Sequence, residues 1–192
     1  MRIAAHRNWF YVAVFTVVMI FSSLDARAQH FGVKTNALMW GVATPNAGVE
    51  IVVGERSSLD LSAFYKPVLN PDKGVFFNSN IIGFQPEYRY WFNGRPFTRQ
   101  YIGVVANMTG YNLSWNNVHH GDALGIGVSF GHAWTLTQRW SIDFAGSLGV
   151  IGYREKFYYK NDYFADYGER ANSRGYVLLP IRLGVSAVYV LK

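Results

Sequence analysis

Alternation of bulky and small side chains over residues 123–134 is the feature that most restricts the fold of this chain. Every even position carries a large side chain, from Leu124 to Trp134, and every odd position carries Ala, Gly or Ser. Successive side chains of a β-strand point to opposite faces of the sheet, so this pattern predicts a strand with one bulky face and one nearly bare face. The segment that begins at Trp140 and the last segment, which ends near Tyr189, repeat this pattern.

The same two-residue period predicts eight strands, and no segment keeps a 3.6-residue period over three turns. The strands are expected near 33–41, 46–54, 57–66, 80–92, 100–115, 123–134, 140–150 and 177–189. Short links alternate with longer ones, which are predicted at 67–79, 116–122 and 158–175. Short turns on one side and longer loops on the other are typical of bacterial membrane barrels.

The composition decides which face of the sheet points inward. Only 16% of the residues are charged, whereas a soluble domain carries about 25%. If the bulky row formed a soluble core, as in a sandwich or a lipocalin-like barrel, the face in water would consist of Gly, Ala and Ser. We therefore predict an all-β fold, an eight-stranded antiparallel transmembrane β-barrel, with bulky residues facing lipid and small residues in a filled lumen.

Residues 1–28 have the layout of a cleaved signal peptide. Arg2 and Arg7 precede an apolar run from Trp9 to Phe21, and a small-x-small sequence ends at Ala28. The run is too short for a membrane-spanning helix, which needs about 20 residues. We expect residues 29–192 to form the outer-membrane β-barrel domain. Loss of the leader removes three cations and one anion, which lowers the net charge from +6 by two units.

Three sequence blocks carry a family resemblance. They span residues 34–38 with 44–50, 85–91, and 127–134 with 139–140. Together they resemble the DUF3575 family of uncharacterised exported proteins from Bacteroidetes-type, Gram-negative bacteria, over nearly all of the mature chain. The resemblance implies a small outer-membrane barrel with no settled enzyme activity, and some members accompany fimbria-type surface structures. Residues 182–189 also resemble the targeting signal that the barrel-assembly machinery reads.

Charged residues are predicted on the inward face of several strands. Glu87 and Arg89 are two residues apart, so they share a face of one strand. Buried charges must be paired, and we expect an ion-pair network that fills the lumen. The alternative for these residues is a proton or ion path. The predicted members are Lys34, Glu50, Asp60, Glu87, Arg89, Asp143 and Arg182.

Aromatic residues form two further predicted groups. The first is an interface girdle near the short turns, because Trp and Tyr concentrate where membrane meets water. Its members are Phe92, Trp134, Trp140 and Tyr189. The second lies in the link 158–175, which either offers a partner-binding surface or extends the strands beyond the membrane. Its members are Tyr158, Tyr159, Tyr163, Phe164 and Tyr167.

No catalytic, cofactor or metal site is predicted. His132 and Ser129 fall on opposite faces of their strand, and His119-His120-Gly121-Asp122 is expected in a surface loop. We expect a non-enzymatic structural or accessory surface protein that contacts outer-membrane lipids, the barrel-assembly machinery and a surface or fimbrial protein, and no nucleic acid. The alternatives are a lipid-modifying outer-membrane enzyme, a soluble periplasmic ligand-binding barrel and a channel for small-solute diffusion.

Overall fold

Eight antiparallel strands form a closed barrel in the computed structural model, which describes residues 31–68, 78–114, 117–159 and 171–191. The side chains of residues 78, 114, 117, 158 and 159 are not described. The elements in chain order are β1 (Phe31–Asn36), α1 (Ala37–Gly41), β2 (Asn46–Gly54), β3 (Ser57–Lys66), β4 (Asn78–Trp91), β5 (Arg99–Ser114), β6 (Asn117–Thr135), β7 (Trp140–Tyr159) and β8 (Ser173–Leu191).

Each strand pairs with its neighbours in sequence, and the barrel closes where β1 pairs with β8. At that seam Val33 lies opposite Tyr189. The prediction of eight antiparallel strands in one closed sheet is confirmed. The predicted signal peptide, residues 1–28, lies outside the described residues. No helix in the described ranges has the length and apolar character needed to cross a membrane.

The two ends of the barrel differ in height. The β2–β3, β4–β5 and β6–β7 links lie at one end, which we call the short-turn end. Strands β5 to β8 contain 16 to 20 residues, whereas β1 to β3 contain 6 to 10. The surplus length of the later strands rises at the opposite end, which we call the long-strand end. The barrel is therefore tall on one side of that end and low on the other.

The first strand is shorter than the sequence pattern predicts. The two-residue period predicts a strand near 33–41, but β1 ends at Asn36 and α1 follows it. The Asn36 side chain accepts a hydrogen bond from the Leu38 backbone N–H at 3.1 Å. Asparagine at a helix N-cap satisfies a backbone donor that the helix leaves free. This local bond ends the strand at Asn36.

The hairpin of β5 and β6 corrects the predicted loop at 116–122. His119-His120-Gly121-Asp122 belongs to β6, which begins at Asn117. His119 lies opposite Leu113 of β5 and Phe157 of β7. Pairing on both sides keeps these residues in the sheet, although their polar composition favours a loop. The surface-loop prediction for them is therefore wrong.

A β-bulge in β8 corrects the predicted orientation of Ile181. The pairing shifts from Ser147 opposite Arg182 to Leu148 opposite Pro180, which leaves Ile181 without a partner of its own. A bulge inserts one extra residue and reverses the alternation beyond it. Ile181 consequently points inward and is only 8% exposed, whereas the alternation predicts that it points outward. Pro180, predicted to point inward, is exposed.

Bulky apolar side chains cover the outside of the barrel and do not form its core. Ile126 is 63% exposed, Phe144 is 43% exposed and Leu183 is 63% exposed. Inward positions of the same strands hold glycine, alanine and serine. Gly149 shows why they must be small: a Cβ atom there would collide with Ile181 and with the backbone of β6. The interior is filled to the point where a methyl group has no room.

Candidate functional site

Seven charged side chains meet in the interior of the barrel, and we call them the interior ion network. They come from β1, β2, β3, β4, β7 and β8, and each is at most 7% exposed. The two-residue period turns them inward, and closure of the sheet brings their six strands around one space. The members are Lys34, Glu50, Asp60, Glu87, Arg89, Asp143 and Arg182, which are the seven residues that the sequence analysis proposed.

Arg89 lies at the centre of the network. Its Nη1 is 2.8 Å from Glu50 and 3.0 Å from Asp143. Its Nη2 is 2.9 Å from Asp60 and 2.8 Å from Glu87. Arginine presents five N–H donors in a planar fork, so one side chain can bond several carboxylates at once. Arg89 thereby connects carboxylates from four strands, β2, β3, β4 and β7.

Lys34 gives the carboxylates a second cation from β1. Its Nζ forms an ion pair with Asp60, lies 3.3 Å from Glu50 and lies 3.6 Å from Asp143. The Lys34 side chain is only 2% exposed, so water does not solvate its ammonium group. Lys34 therefore depends on these three carboxylates to compensate for its burial.

Arg182 completes the network from β8. Its Nη1 is 2.8 Å from Asp60 and 2.8 Å from Glu87. Arg182 lies in the regularly paired part of β8 and shares the inward parity of Gly184 and Ser186, and the bulge at Ile181 comes just before it. Three cations face four carboxylates, so the network carries one excess negative charge when all seven groups are ionised.

Neutral hydroxyl groups satisfy further carboxylate oxygens, and the sequence analysis did not propose them. Ionised carboxylates have about four acceptor sites each, so cations alone leave some unfilled. Two sequence signals could have found these serines: Ser58 and Ser62 share the inward parity of Asp60 on β3, and Ser129 belongs to the small-residue face of β6. The donors are Ser58 to Glu50 at 2.6 Å, Ser62 to Asp60 at 2.6 Å, and Ser129 to Glu87.

An aromatic layer closes the network on the side of the short-turn end. The Arg89 guanidinium lies 4.3 Å from the centre of the Tyr101 ring, and the Tyr101 hydroxyl donates to Asp143 at 3.1 Å. Trp91 packs against Tyr101 with ring centres 4.7 Å apart, and Phe97 lies 6.4 Å beyond Trp91. Trp91 shares the parity of Arg89 and could have been predicted. This layer covers the network from the short-turn end.

The predicted girdle residues lie on the outside at the short-turn end. Phe92, Trp134 and Trp140 are exposed, and Tyr189 is half-exposed. Trp140 and Tyr189 are neighbours on β7 and β8, with ring centres 4.9 Å apart. All four residues therefore belong to one end of the barrel.

The predicted partner-binding aromatics fall mostly beyond the described part of the chain. Tyr158 and Tyr159 are the last residues of β7, and their side chains are not described. Tyr163, Phe164 and Tyr167 lie outside the described residues. Their role in partner binding stays a prediction.

The geometry does not bring His132 and Ser129 together. Ser129 is buried and donates to Glu87 in the interior, whereas His132 belongs to the outward row of β6. A nucleophilic serine needs its base within hydrogen-bonding distance, about 2.6–3.2 Å. These two residues therefore do not form such a pair.

A second polar group lies on the inward face nearer the long-strand end, and we call it the upper cluster. The Tyr111 hydroxyl donates to Glu155 at 2.9 Å, and His119 Nδ1 lies 3.1 Å from the same carboxylate. The His119 side chain is 35% exposed, so the upper cluster is open to solvent. The described ranges contain no group of three or more His, Cys, Asp or Glu residues that could hold a metal ion.

The fold and its interior define a class: a small, closed, eight-stranded barrel with a charged, filled interior and an apolar outer surface. The model of a protein family described as a protein of unknown function, DUF3575, matches residues 13–191. The chain belongs to the DUF3575 family. No curated protein matches the chain.

Proposed function

We propose that this chain is a non-enzymatic barrel of the outer membrane that acts as a structural or accessory surface protein. It would be exported through a cleaved signal peptide, inserted by the barrel-assembly machinery and surrounded by outer-membrane lipids. Its long-strand end would face the cell exterior and bind a surface protein, for which fimbria-type structures are the candidate. The inversion of the barrel, with charge inside and apolar side chains outside, is the observation that carries this proposal.

The apolar outer band has the height that a membrane requires. On β6 it extends from Leu124 to Trp134, a distance of about 33 Å at about 3.3 Å per residue. A strand tilted by about 45° spans about 23 Å across a bilayer over this length, close to the roughly 25 Å band of membrane barrels. Above Leu124 the outward positions become polar, with Asp122 on β6 and Arg154 opposite it on β7.

The interior ion network supports a structural role over solute transport. Seven charged side chains and an aromatic layer occupy the interior at the level of the outer band. The interior of an eight-stranded barrel is just wide enough for its own side chains or for one small ligand, and here side chains occupy it. A solute would have to displace ion pairs whose separation in a buried site costs several kcal/mol.

The long-strand end supports the partner-binding role. Outward residues above the apolar band carry charges of both signs, among them Asp122, Arg154 and Arg174. Strands β5 to β8 raise this polar surface beyond the band, where a second protein can reach it. Polar rims around aromatic residues are typical of protein interfaces, and the predicted aromatics of the link 158–175 would belong to this end.

Membrane insertion is tested by fractionation, by gel migration with and without heating, and by a matched pair of variants. Ile126→Arg places a charge in the middle of the outer band, and we expect it to destabilise the folded protein in vesicles by about 2–4 kcal/mol. His120→Arg places the same charge on the same face of β6 above the band, and its expected effect is about 0–1 kcal/mol. Equal effects of the two variants contradict membrane insertion.

The same fractionation separates the alternatives. A soluble periplasmic barrel stays in solution without detergent and shows no heat-dependent migration. A lipid-modifying enzyme would change lipid A or phospholipid in micelles and lose this activity in His132→Ala. Partner binding is tested by photo-crosslinkers at residues 158–175, with a crosslinker at Gln138 of the short-turn end as the control. A surface protein captured from the first positions and absent from the control supports the accessory role.

A further inference from the structure

A cavity of about 570 Å³ opens at the short-turn end, between the β4–β5 and β6–β7 links, and we call it the mouth cavity. Arg95 and Arg139 extend into its lining from these two links, and Ser141 of β7 joins them. Val52 and Val190 supply part of its apolar wall. The volume lies within the roughly 300–1,000 Å³ of small-molecule sites.

Ser141 brings an unused hydrogen-bonding group to this cavity. It is only 3% exposed, and its Oγ has no hydrogen-bond partner among the described residues. Most buried polar atoms in proteins are bonded, so an unpaired one calls for an explanation. Two other hydroxyls of the lining are occupied: Thr98 donates to a backbone carbonyl at 2.7 Å, and Thr137 accepts from backbone N–H groups of its own turn.

The two arginines give the mouth cavity an uncompensated positive charge. Within the described part of the chain, neither Arg95 nor Arg139 forms an ion pair, and no carboxylate lines the cavity. Arg139 Nη1 donates to the Tyr189 hydroxyl at 3.3 Å, which orients this guanidinium and leaves its other N–H groups available. Guanidinium groups bind phosphate oxygens through paired N–H donors.

The β4–β5 link holds Arg95 in an unusual and well-fixed backbone. Two of its residues have positive φ angles, 68° at Gly94 and 65° at Phe97, and Arg99, the first residue of β5, has a φ of 61°. Such angles are uncommon outside glycine, and they persist only where surrounding contacts hold them. Phe97 supplies that contact, because its buried ring lies against Gly32 inside the barrel mouth. The link therefore presents Arg95 from a fixed position and does not need to reorganise.

We propose that the mouth cavity binds a phosphomonoester with an apolar organic group. A phosphomonoester carries about −1.5 to −2 charge at neutral pH, which matches the charge of the two guanidinium groups. A ligand with a single carboxylate would neutralise only one of them. The unpaired hydroxyl of Ser141 donates to a phosphate oxygen and thereby gains the partner that it lacks. Phe97 and Val190 contact the organic group.

Isothermal titration calorimetry in non-ionic detergent tests the chemistry of this ligand with three probes. Butyl phosphate is expected to bind more tightly than both inorganic phosphate and butyrate. If inorganic phosphate binds as tightly as butyl phosphate, the proposed contact with an apolar organic group is wrong. The ligand is then free phosphate. Butyrate that binds equally well, or no binding of any probe, overturns the phosphomonoester site. Micelles keep the measurement independent of whether the protein enters outer membranes.

Matched variants test the residues. Ser141→Ala should weaken butyl phosphate binding about fivefold, and Arg95→Gln should weaken it about tenfold. Ser186→Ala is the control for the first, since Ser186 is also buried with an unpaired hydroxyl but does not line the cavity. Arg154→Gln, at the other end of the barrel, is the control for the second. Ser141→Ala should leave the thermal midpoint unchanged, and equal losses in a variant and its control contradict the assignment.

Discussion

The interior ion network and the upper cluster lie on inward-facing positions of the same sheet, yet they differ in burial and in connection. Arg89 is fully buried and bonds four carboxylates. Glu155 is partly exposed and bonds one tyrosine and one histidine. The two groups lie at different heights in the barrel. The network is at the level of the outer band, and the upper cluster is nearer the long-strand end.

The difference shows how much the surroundings decide the energetic role of a charge. An ion pair in water contributes about 0–1 kcal/mol, because water competes for both partners. The same pair in a dry interior cannot be broken without leaving a charge unsolvated. An inward orientation alone therefore does not give the energetic role of a charged residue. Burial decides whether an inward charge is essential to the fold.

Replacement of Arg89 by Met should have the largest effect. Four carboxylates lose their common donor in a site without water, so we expect a loss of at least about 3–5 kcal/mol in the free energy of unfolding. Urea titration of the protein in vesicles measures it. If the network fills the lumen structurally, the folded fraction should show no new conductance in planar bilayers.

Arg154→Met is the control for this variant, because it removes an exposed arginine from the long-strand end. Its effect should stay within about 0.5 kcal/mol. A similar loss in both variants would show that burial does not distinguish the network. Conductance of the unmodified protein would contradict the filled lumen.

The inward glycines offer a test of intermediate size. In Gly149→Ala the new methyl group meets Ile181 and the backbone of β6, and we expect a loss of about 2 kcal/mol. Gly146→Ala changes the same strand on its outward face, where the nearest atom to a Cβ is Leu183 Cδ2 at 4.0 Å. The second variant should be neutral or slightly stabilising in the same titration. The reverse order would contradict the close packing of the interior.

Replacement of Glu155 by Gln should have the smallest effect. The amide keeps an oxygen that accepts from Tyr111 and loses only the charge beside His119. Because His119 is about one-third exposed, we expect a loss of about 0.5 kcal/mol or less. A loss as large as that of Arg89→Met would show that the upper cluster is sealed from water.

Much of the fold and of the interior could be predicted from alternation alone. Parity places Glu87 and Arg89 on one inward face, and it applies equally to Trp91, which the sequence analysis omitted. Parity fails at Ile181, because a bulge depends on how two strands pair and leaves no mark in one of them. The same limit applies to Ser141, whose free hydroxyl becomes visible only when every neighbouring donor and acceptor is known.

The order of residues along the chain determined which side chains share a face, because a strand turns successive side chains to opposite sides whatever its neighbours are. Only the tertiary structure decided which of those faces meet. The pairing of β1 with β8 brings Lys34 and Arg182 to carboxylates that are distant in the chain, and closure removes water from the space between them. Periodicity is a local property of the backbone, whereas register, bulges and solvent exclusion arise from the sheet as a whole.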